Sequence, residues 1–362
     1  MPDEERTGSK SPNSGKSSPR SIASAGNRDL PAIEPDVRDP EAATADLSDG
    51  DSAVDSASLG SATTSLASSI AKYRIENGRT YHAYKEGAYL LPNDDTENDR
   101  LDLQHHLCFL TFDNKLHTCP AGVDKPLKRV LDAGCGTGVW AMDFADEHPE
   151  AEVIGVDLSP IQPSLVPVNT TFVIDDLEAE WTYHQPFDFI YLRFLVGSLR
   201  GWDKLLDQAF EHLSPGGWIE TADAVYPLAC DDGTVTDDKA IYEWSSLMRE
   251  GAAKAGLSLD TSMELKQKLI DRGFTNVTEK WYRWPMNSWP KDPKFKNLGT
   301  WATENVLSGL SGLSLALFTR VLGWTREDVE VFLVNVRKDL KDKSIHGYWR
   351  ILVVSGQKPE SE

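Results

Sequence analysis

The stretch "RVLDAGCGTGVWAMDF", Arg129–Phe144, sets glycines at 134, 136 and 138 between an apolar run and an amphipathic one. The apolar run reads as a short strand. The segment "GVWAMDFADEH" after it reads as a helix beginning near Thr137, with Trp140, Phe144 and Ala145 near one face. Glycines at such a corner let the backbone turn tightly and approach a ligand without a Cβ in the way. The first amides of the helix then point at the same spot.

The alternation continues outward from this corner. "EVIGVDL", "TFVIDD" and "FDFIYLRF" read as further strands, "GWDKLLDQAFEHL" as an amphipathic helix and "GGWIETAD" as a fifth strand. Strands separated by helices imply right-handed crossovers and a mostly parallel sheet, which predicts a doubly wound α/β body from about Lys128 to Tyr226. Upstream, "TENDRLDLQHHLCFLTF" spaces Leu101, Leu103, Leu107, Leu110 and Phe112 as a helix does. Downstream, "SMELKQKLIDRGF" reads as a helix and "VTEKWYRWP" as a strand. A helical block with an N-cap at Thr325 follows, and the apolar strand "YWRILVVSGQKP" closes the chain. The division expected is a disordered Ser-rich tail over 1–69, a helical covering segment over 70–127 and the α/β body over 128–360, with a helical insertion at about 290–342.

The chain has 362 residues and a formal net charge of −20. The tail is mostly Ser, Ala, Asp, Glu, Pro and Gly, without Trp, Tyr or Phe, and cannot bury enough apolar surface to offset its ordering entropy. Ser11-Pro12 and Ser18-Pro19 within it match the pattern of proline-directed phosphorylation. No apolar segment follows Met1, and "LSGLSGLSLALF" (Leu307 to Phe318) is too short and too rich in Ser and Gly to span a bilayer, so the expected location is cytoplasm or nucleus rather than outside the cell. The scattered cysteines, Cys108, Cys119, Cys135 and Cys230, argue against structural zinc or a disulfide framework. No basic stripe is visible to track nucleic-acid phosphates. No His, Cys, Asp or Glu cluster has metal-ligand spacing, so no metal is expected.

The spacing of the glycines discriminates among ligands. A dinucleotide fingerprint is GxGxxG, whereas this chain has GxGxG, with Val139 where the last dinucleotide glycine belongs. Asp132, just before the glycines, is unhelpful beside a pyrophosphate but useful beside a cationic amino group. Asp157 ends the second strand, where a carboxylate accepts from both hydroxyls of a ribose. Asp175 and Asp176 end the third strand, where a carboxylate accepts from the adenine N6 amino group and the N–H of Leu177 meets a ring nitrogen. Together these predict a site for a ribosylated adenine carrying a positive amino acid, and S-adenosylmethionine fits that description.

The order "VLDAGCGTG … VIGVDLSP … FVIDDLE … FDFIYLR … LSPGGWIE" resembles class I S-adenosylmethionine-dependent methyltransferases. The strings "ENGRTYHAYKEGAYLLPNDDTENDRLDLQHH", "GSLRGWDKLL", "LFTRVLGW" and "IHGYW" resemble, more narrowly, the fungal LaeA-like methyltransferases, a family associated with secondary metabolism. The resemblance implies a Rossmann-like seven-stranded sheet and S-adenosyl-L-methionine as cofactor. It implies that Asp132, Gly134, Gly136 and Gly138 line the methionine end, that Asp157 holds the ribose and that Asp176 holds the adenine, with Asp175 as the alternative. It also implies a lid over the cofactor at about Tyr73 to Tyr89, with Tyr81 and Tyr84 as candidates to face the sulfonium.

Methyl transfer needs alignment and exclusion of water, and a general base where the acceptor is a hydroxyl or thiol. Candidates to touch the acceptor stand at strand ends: Tyr191 and Arg193 after the fourth strand, Glu220 and Asp223 after the fifth. No catalytic residue is assigned. Of His105 and His106, one is expected to be buried with a partner and the other exposed. Trp281, Trp284, Trp289, Trp301, Trp324 and Trp349 are expected mainly in core packing; an aromatic wall for a flat acceptor is the alternative. The function expected is methylation of a small-molecule secondary metabolite. The alternative is a regulator of secondary metabolism acting through nuclear protein partners with little turnover.

Overall fold

The computed structural model describes residues 30–36, 73–82, 84 and 89–360. Its centre is a seven-stranded sheet ordered β5-β4-β3-β6-β7-β9-β8. The strands are β3 (Arg129–Ala133), β4 (Glu152–Asp157), β5 (Thr170–Ile174), β6 (Phe187–Arg193), β7 (Leu213–Ala229), β8 (Thr275–Pro285) and β9 (Tyr348–Gln357). The pairs β3–β4, β4–β5, β3–β6 and β6–β7 are parallel, while β9 runs antiparallel to both β7 and β8. The chain builds outward from β3 through β4 to β5, then returns to lay β6 on the other side of β3. The loops after β3 and β6 therefore diverge, and a crevice opens at the carboxyl ends of these strands.

The central strands carry near-continuous apolar runs because both faces are covered. Val130, Leu131, Phe189, Ile190 and Leu192 are all fully buried. A two-stranded hairpin, β1 (Arg74–Glu76) and β2 (Arg79–Tyr81), precedes helix α1 (Asp95–Thr111). Asn77 and Gly78 both take positive φ in the hairpin's two-residue turn, which matches the twist of the strands. The remaining helices are α2 (Val139–Glu147), α3 (Trp202–His212), α4 (Ala240–Lys254), α5 (Leu265–Asp271), α6 (Pro293–Arg320) and α7 (Arg326–Lys341). Thr325 caps α7 in a capping box with Asp328, as its sequence predicts.

Several elements differ from those read in the sequence. Helix α2 starts at Val139, because Gly138 is its N-cap at φ +82°. Strand β5 stops at Ile174, so both Asp175 and Asp176 lie beyond it. Helix α4 was not expected, although Ile241, Trp244, Met248 and Ala252 recur at helical spacing and are buried.

Within the stretch 1–69, residues 30–36 lie against the body. The Lys291 N–H donates to the Glu34 carbonyl at 2.8 Å, the Asp36 N–H to the Trp289 carbonyl at 2.9 Å, and Arg283 Nη1 to the Pro31 carbonyl at 2.8 Å. Ile33 packs on Ala229, Trp289 and Tyr348. A few apolar and hydrogen-bonding residues are enough to seat a segment whose average composition is that of a solvated tail. Ser11 and Ser18 lie outside the described residues.

Candidate active site

The loop between β3 and α2 holds its shape through contacts from three directions. The Gly134 N–H donates to the Val156 carbonyl at 2.8 Å and the Gly136 N–H to Asp157 Oδ2 at 2.9 Å. Gln162 Nε2 donates to the Gly136 carbonyl at 2.6 Å, and the Thr137 hydroxyl to Asp102 Oδ1 on α1 at 2.6 Å. A Cβ at Gly134 would stand 2.5 Å from Leu195 Cδ2, and one at Gly138 would stand 2.3 Å from Phe172 Cζ.

Gly134, Gly136, Asp157, Asp175, Asp176 and Leu177 line a single cavity in the crevice. Asp157 also accepts from the Ser159 N–H at 2.9 Å, and burial raises its carboxyl above the usual range. Asp176 is half-buried and accepts from the Glu178 N–H, whereas Asp175 is exposed and accepts from the Asp176 N–H. Two expected wall residues are not on the cavity. Gly138 is screened by the Phe172 ring of β5, so its missing side chain serves packing. Asp132 is 3 % exposed and sits behind the loop, flanked in the sheet by Gly155 and Tyr191. Its Oδ2 has no hydrogen-bond partner among the described residues, and burial pushes its carboxyl up to about 7, with Arg193 opposing.

Other walls of the cavity were not read from the sequence. Tyr89 and Asn93 come from the approach to α1, Leu101 and Gln104 from α1, and Phe194 and Ser198 from the loop after β6. Asn93 is 5 % exposed, and both its amide atoms are unpartnered among the described residues. A buried, unsatisfied amide on a cavity wall is what a polar ligand would complete. With carboxylates at the strand ends and no basic cluster for phosphate, the donor set fits a ribosylated adenine with an amino-acid end.

A second cavity adjoins the first, sharing Tyr89, Leu101, Gln104, Phe194 and Ser198. Its remaining walls are mostly apolar and come from β7, α4, β8, α6 and β9. Of the strand-end candidates, Arg193 lines the first cavity and Asp223 the second. Tyr191 and Glu220 line neither. Tyr191 is fully buried, stacked on Trp140 with ring centroids 4.2 Å apart. The Glu220 carboxylate accepts from the N–H groups of Thr118 and Cys119, at 2.9 and 2.6 Å, and so pins a loop.

His105 is buried between Asp143 and Arg193: Nε2 donates to Asp143 Oδ2 at 2.9 Å and Nδ1 accepts from Arg193 at 3.2 Å. Burial lowers its pKa, and this bonding suits the neutral ring. His106 is exposed against Trp301, as the sequence predicts for one of the pair. Tyr81 does not face the crevice; it lies under the Arg320 guanidinium at 4.6 Å. Tyr84 lines neither cavity, and its carbonyl accepts from His82 Nδ1. The aromatic of this segment that does reach both cavities is Tyr89. Of the six tryptophans, Trp284 and Trp349 reach the second cavity, joined there by Trp244. Trp324 packs against Phe318 and Phe332, and Trp289 against His346. Among the described residues, no group of three or more His, Cys, Asp or Glu is placed to hold a metal ion, and no helix is long and apolar enough to cross a membrane.

A mostly parallel sheet of this order, with a glycine corner after its central strand and acids after the next two, defines an S-adenosylmethionine-dependent methyltransferase. Residues 103–279 match the family model described as a methyltransferase domain. The chain is 39% identical over 300 residues to methyltransferase pytC of Aspergillus terreus, covering 83% of this chain and 92% of that one. It is 35% identical over 292 residues to the protein-methionine methyltransferase laeA of Emericella nidulans, covering 80% and 77%. Among solved structures, phosphoethanolamine N-methyltransferase 2 of Haemonchus contortus is 17% identical with a TM-score of 0.39, covering 73% and 53%. The chain belongs to the fungal LaeA-like methyltransferases.

Proposed function

We propose that this chain methylates a small molecule of secondary metabolism held in the second cavity. The observation that carries this reading is the pair of adjoining cavities, one with the cofactor's donor set and one largely apolar, sharing a wall at Tyr89, Gln104 and Phe194. The relative pytC is named a methyltransferase, which agrees with the transfer itself. The relative laeA is also named a secondary metabolism regulator, and this favours the second reading: a regulator that acts through nuclear protein partners with little turnover.

When bound, the cofactor supplies a methyl group activated by its sulfonium. The protein's tasks are then binding, alignment and exclusion of water. Asp157 accepts from the ribose hydroxyls. Asp176, the less exposed of the two acids after β5, accepts from the adenine amino group, with Asp175 as its alternate and the Leu177 N–H beside it. Gly134 and Gly136 receive the amino-acid end, where the open amide of Asn93 completes its hydrogen bonds. Asp132 and Gly138 support this loop from behind.

The division into a covering segment over 70–127 and a body over 128–360, with an insertion at about 290–342, belongs to the same proposal. What supports it is that α1 and α6 add Leu101, Gln104, Asn305 and Leu313 to the cavity walls while adding no strand to the sheet.

Calorimetry tests the reading. The protein should bind S-adenosylmethionine and not NAD, and Asp157→Ala should weaken that binding about tenfold or more, since hydrogen bonds to a charged acceptor are worth roughly 1.5–3 kcal/mol. Binding of NAD instead would end the case for this cofactor.

A further inference from the structure

The second cavity contains one unexplained group. Asp223, on β7, is 1 % exposed and lines this cavity. Its Oδ1 accepts from the Val196 N–H at 3.0 Å, but its Oδ2 has no partner among the described residues. The other charged side chain on the wall is already matched. Arg100 donates to both Glu97 oxygens, at 2.7 and 2.9 Å, and to Asn305 at 2.9 Å. Around them stand Trp244, Trp284, Trp349 and Phe194. Flat aromatic walls favour a flat aromatic occupant, by stacking and edge contacts worth roughly 0.5–1.5 kcal/mol per pair beyond area burial.

We propose that the second cavity binds a planar aromatic acceptor whose phenol-type hydroxyl donates to Asp223 Oδ2, and that Asp223 is the general base of the transfer. This rests on the reading of the first cavity as the cofactor site. In the reaction the acceptor O–H bond breaks and its proton passes to Oδ2. The oxygen forms a new bond to the methyl carbon as the carbon–sulfur bond of the donor breaks, with that electron pair returning to sulfur. Asp223 later releases the proton to solvent. Burial alone pushes the Asp223 carboxyl up to about 8, well matched to a weakly acidic hydroxyl. A sulfonium in the adjoining cavity favours the ionised form, so loading of the donor prepares the base. The chemistry also explains why the wall carries an unpaired acid: a hydroxyl satisfies it, whereas an ether product does not, which assists release.

Fluorescence titration of the full chain, saturated with sinefungin, which carries an ammonium in place of the sulfonium and so favours the ionised Asp223, tests this with 7-hydroxycoumarin and 7-methoxycoumarin as probes. The wild type should bind the hydroxyl probe at least tenfold more tightly than the ether. Asp223→Asn keeps an oxygen for the Val196 N–H, so it should retain S-adenosylhomocysteine affinity within about twofold and lose the preference for the hydroxyl. Leu313→Trp, which fills the same cavity from α6, should abolish binding of both probes and serves if Asp223→Asn does not fold. No probe binding to the loaded wild type, equal binding of the two probes, or a preference that survives in Asp223→Asn would each overturn the proposal. Failure of the wild type to bind S-adenosylhomocysteine would instead overturn the reading of the first cavity.

Discussion

Two glycines of one loop should respond differently to the same substitution. Gly138→Ala forces an L-residue to φ +82° and sets its methyl 2.3 Å from Phe172 Cζ. The left-handed backbone costs roughly 1–2 kcal/mol. Overpacking against a ring held in the sheet adds roughly 1–3 kcal/mol. The sum, about 2–5 kcal/mol, is a large part of the roughly 5–15 kcal/mol that holds a domain together. At about 2–4 °C per kcal/mol in a large domain, Tm should fall by roughly 4–20 °C. Gly136→Ala also sits at positive φ, +55°, but its methyl meets nothing closer than Leu101 Cδ1 at 3.5 Å. Only the backbone cost applies to the fold, so Tm should fall by roughly 2–8 °C. That methyl stands on the cavity wall, however, and S-adenosylhomocysteine affinity should drop about tenfold, or roughly 1.4 kcal/mol. The assay is thermal unfolding of each variant without ligand, paired with calorimetric titration. Phe172→Leu in the Gly138→Ala background should recover part of the lost stability, because the two changes share one contact. If Gly138→Ala unfolds no earlier than Gly136→Ala, and Phe172→Leu recovers nothing, the assignment of Gly138 to packing is wrong.

Two further outcomes follow from the same physics. The Asp132 and Asp223 carboxyls are pushed up to about 7 and about 8, so the folded chain keeps protons that the unfolded chain releases above roughly pH 4. Stability without ligand should therefore fall as pH rises from 5.5 to 8, by at most roughly 1.4 kcal/mol per pH unit per group, and Asp132→Asn should flatten the slope in denaturant titrations; an unchanged slope would remove Asp132 from the account. Deleting residues 1–36 strips Ile33 from Ala229, Trp289 and Tyr348, and should lower stability by about 1–2 kcal/mol, seen as a Tm lower by a few degrees. An unchanged Tm would mean that the docked segment adds no net stability.

Some of what the structure shows was open to reading and passed over. Asn77-Gly78 between "RIE" and "RTY" is a strong hairpin signal, and the period of α4 was as plain as that of α3. The rule that functional acids stand at strand ends placed Asp157, the last residue of β4, on a cavity, and it placed Asp223 on one too, although β7 runs on past that residue to Ala229. It failed for Glu220, whose partners at 118 and 119 lie about a hundred positions away in the chain. Nothing local to "WIETAD" distinguishes these two outcomes, because an acid pinning a loop and an acid facing a ligand look alike along a strand.

What the sequence alone determined was the alternation of strands and helices from β3 to β7, the glycine corner and the acids after the next two strands. These are local properties: the period of apolar residues, the φ that only glycine takes readily, and the short reach from a strand end to its loop. What only the tertiary structure decided was which of those residues face a cavity, and that there are two cavities. Tyr89, Phe194, Trp244, Asn305 and Trp349 meet around one space from five separate parts of the chain. No spacing rule links them, because the packing of helices α1, α4 and α6 around the crevice sets their distances, and each of those helices is specified by its own apolar face and not by the site it encloses.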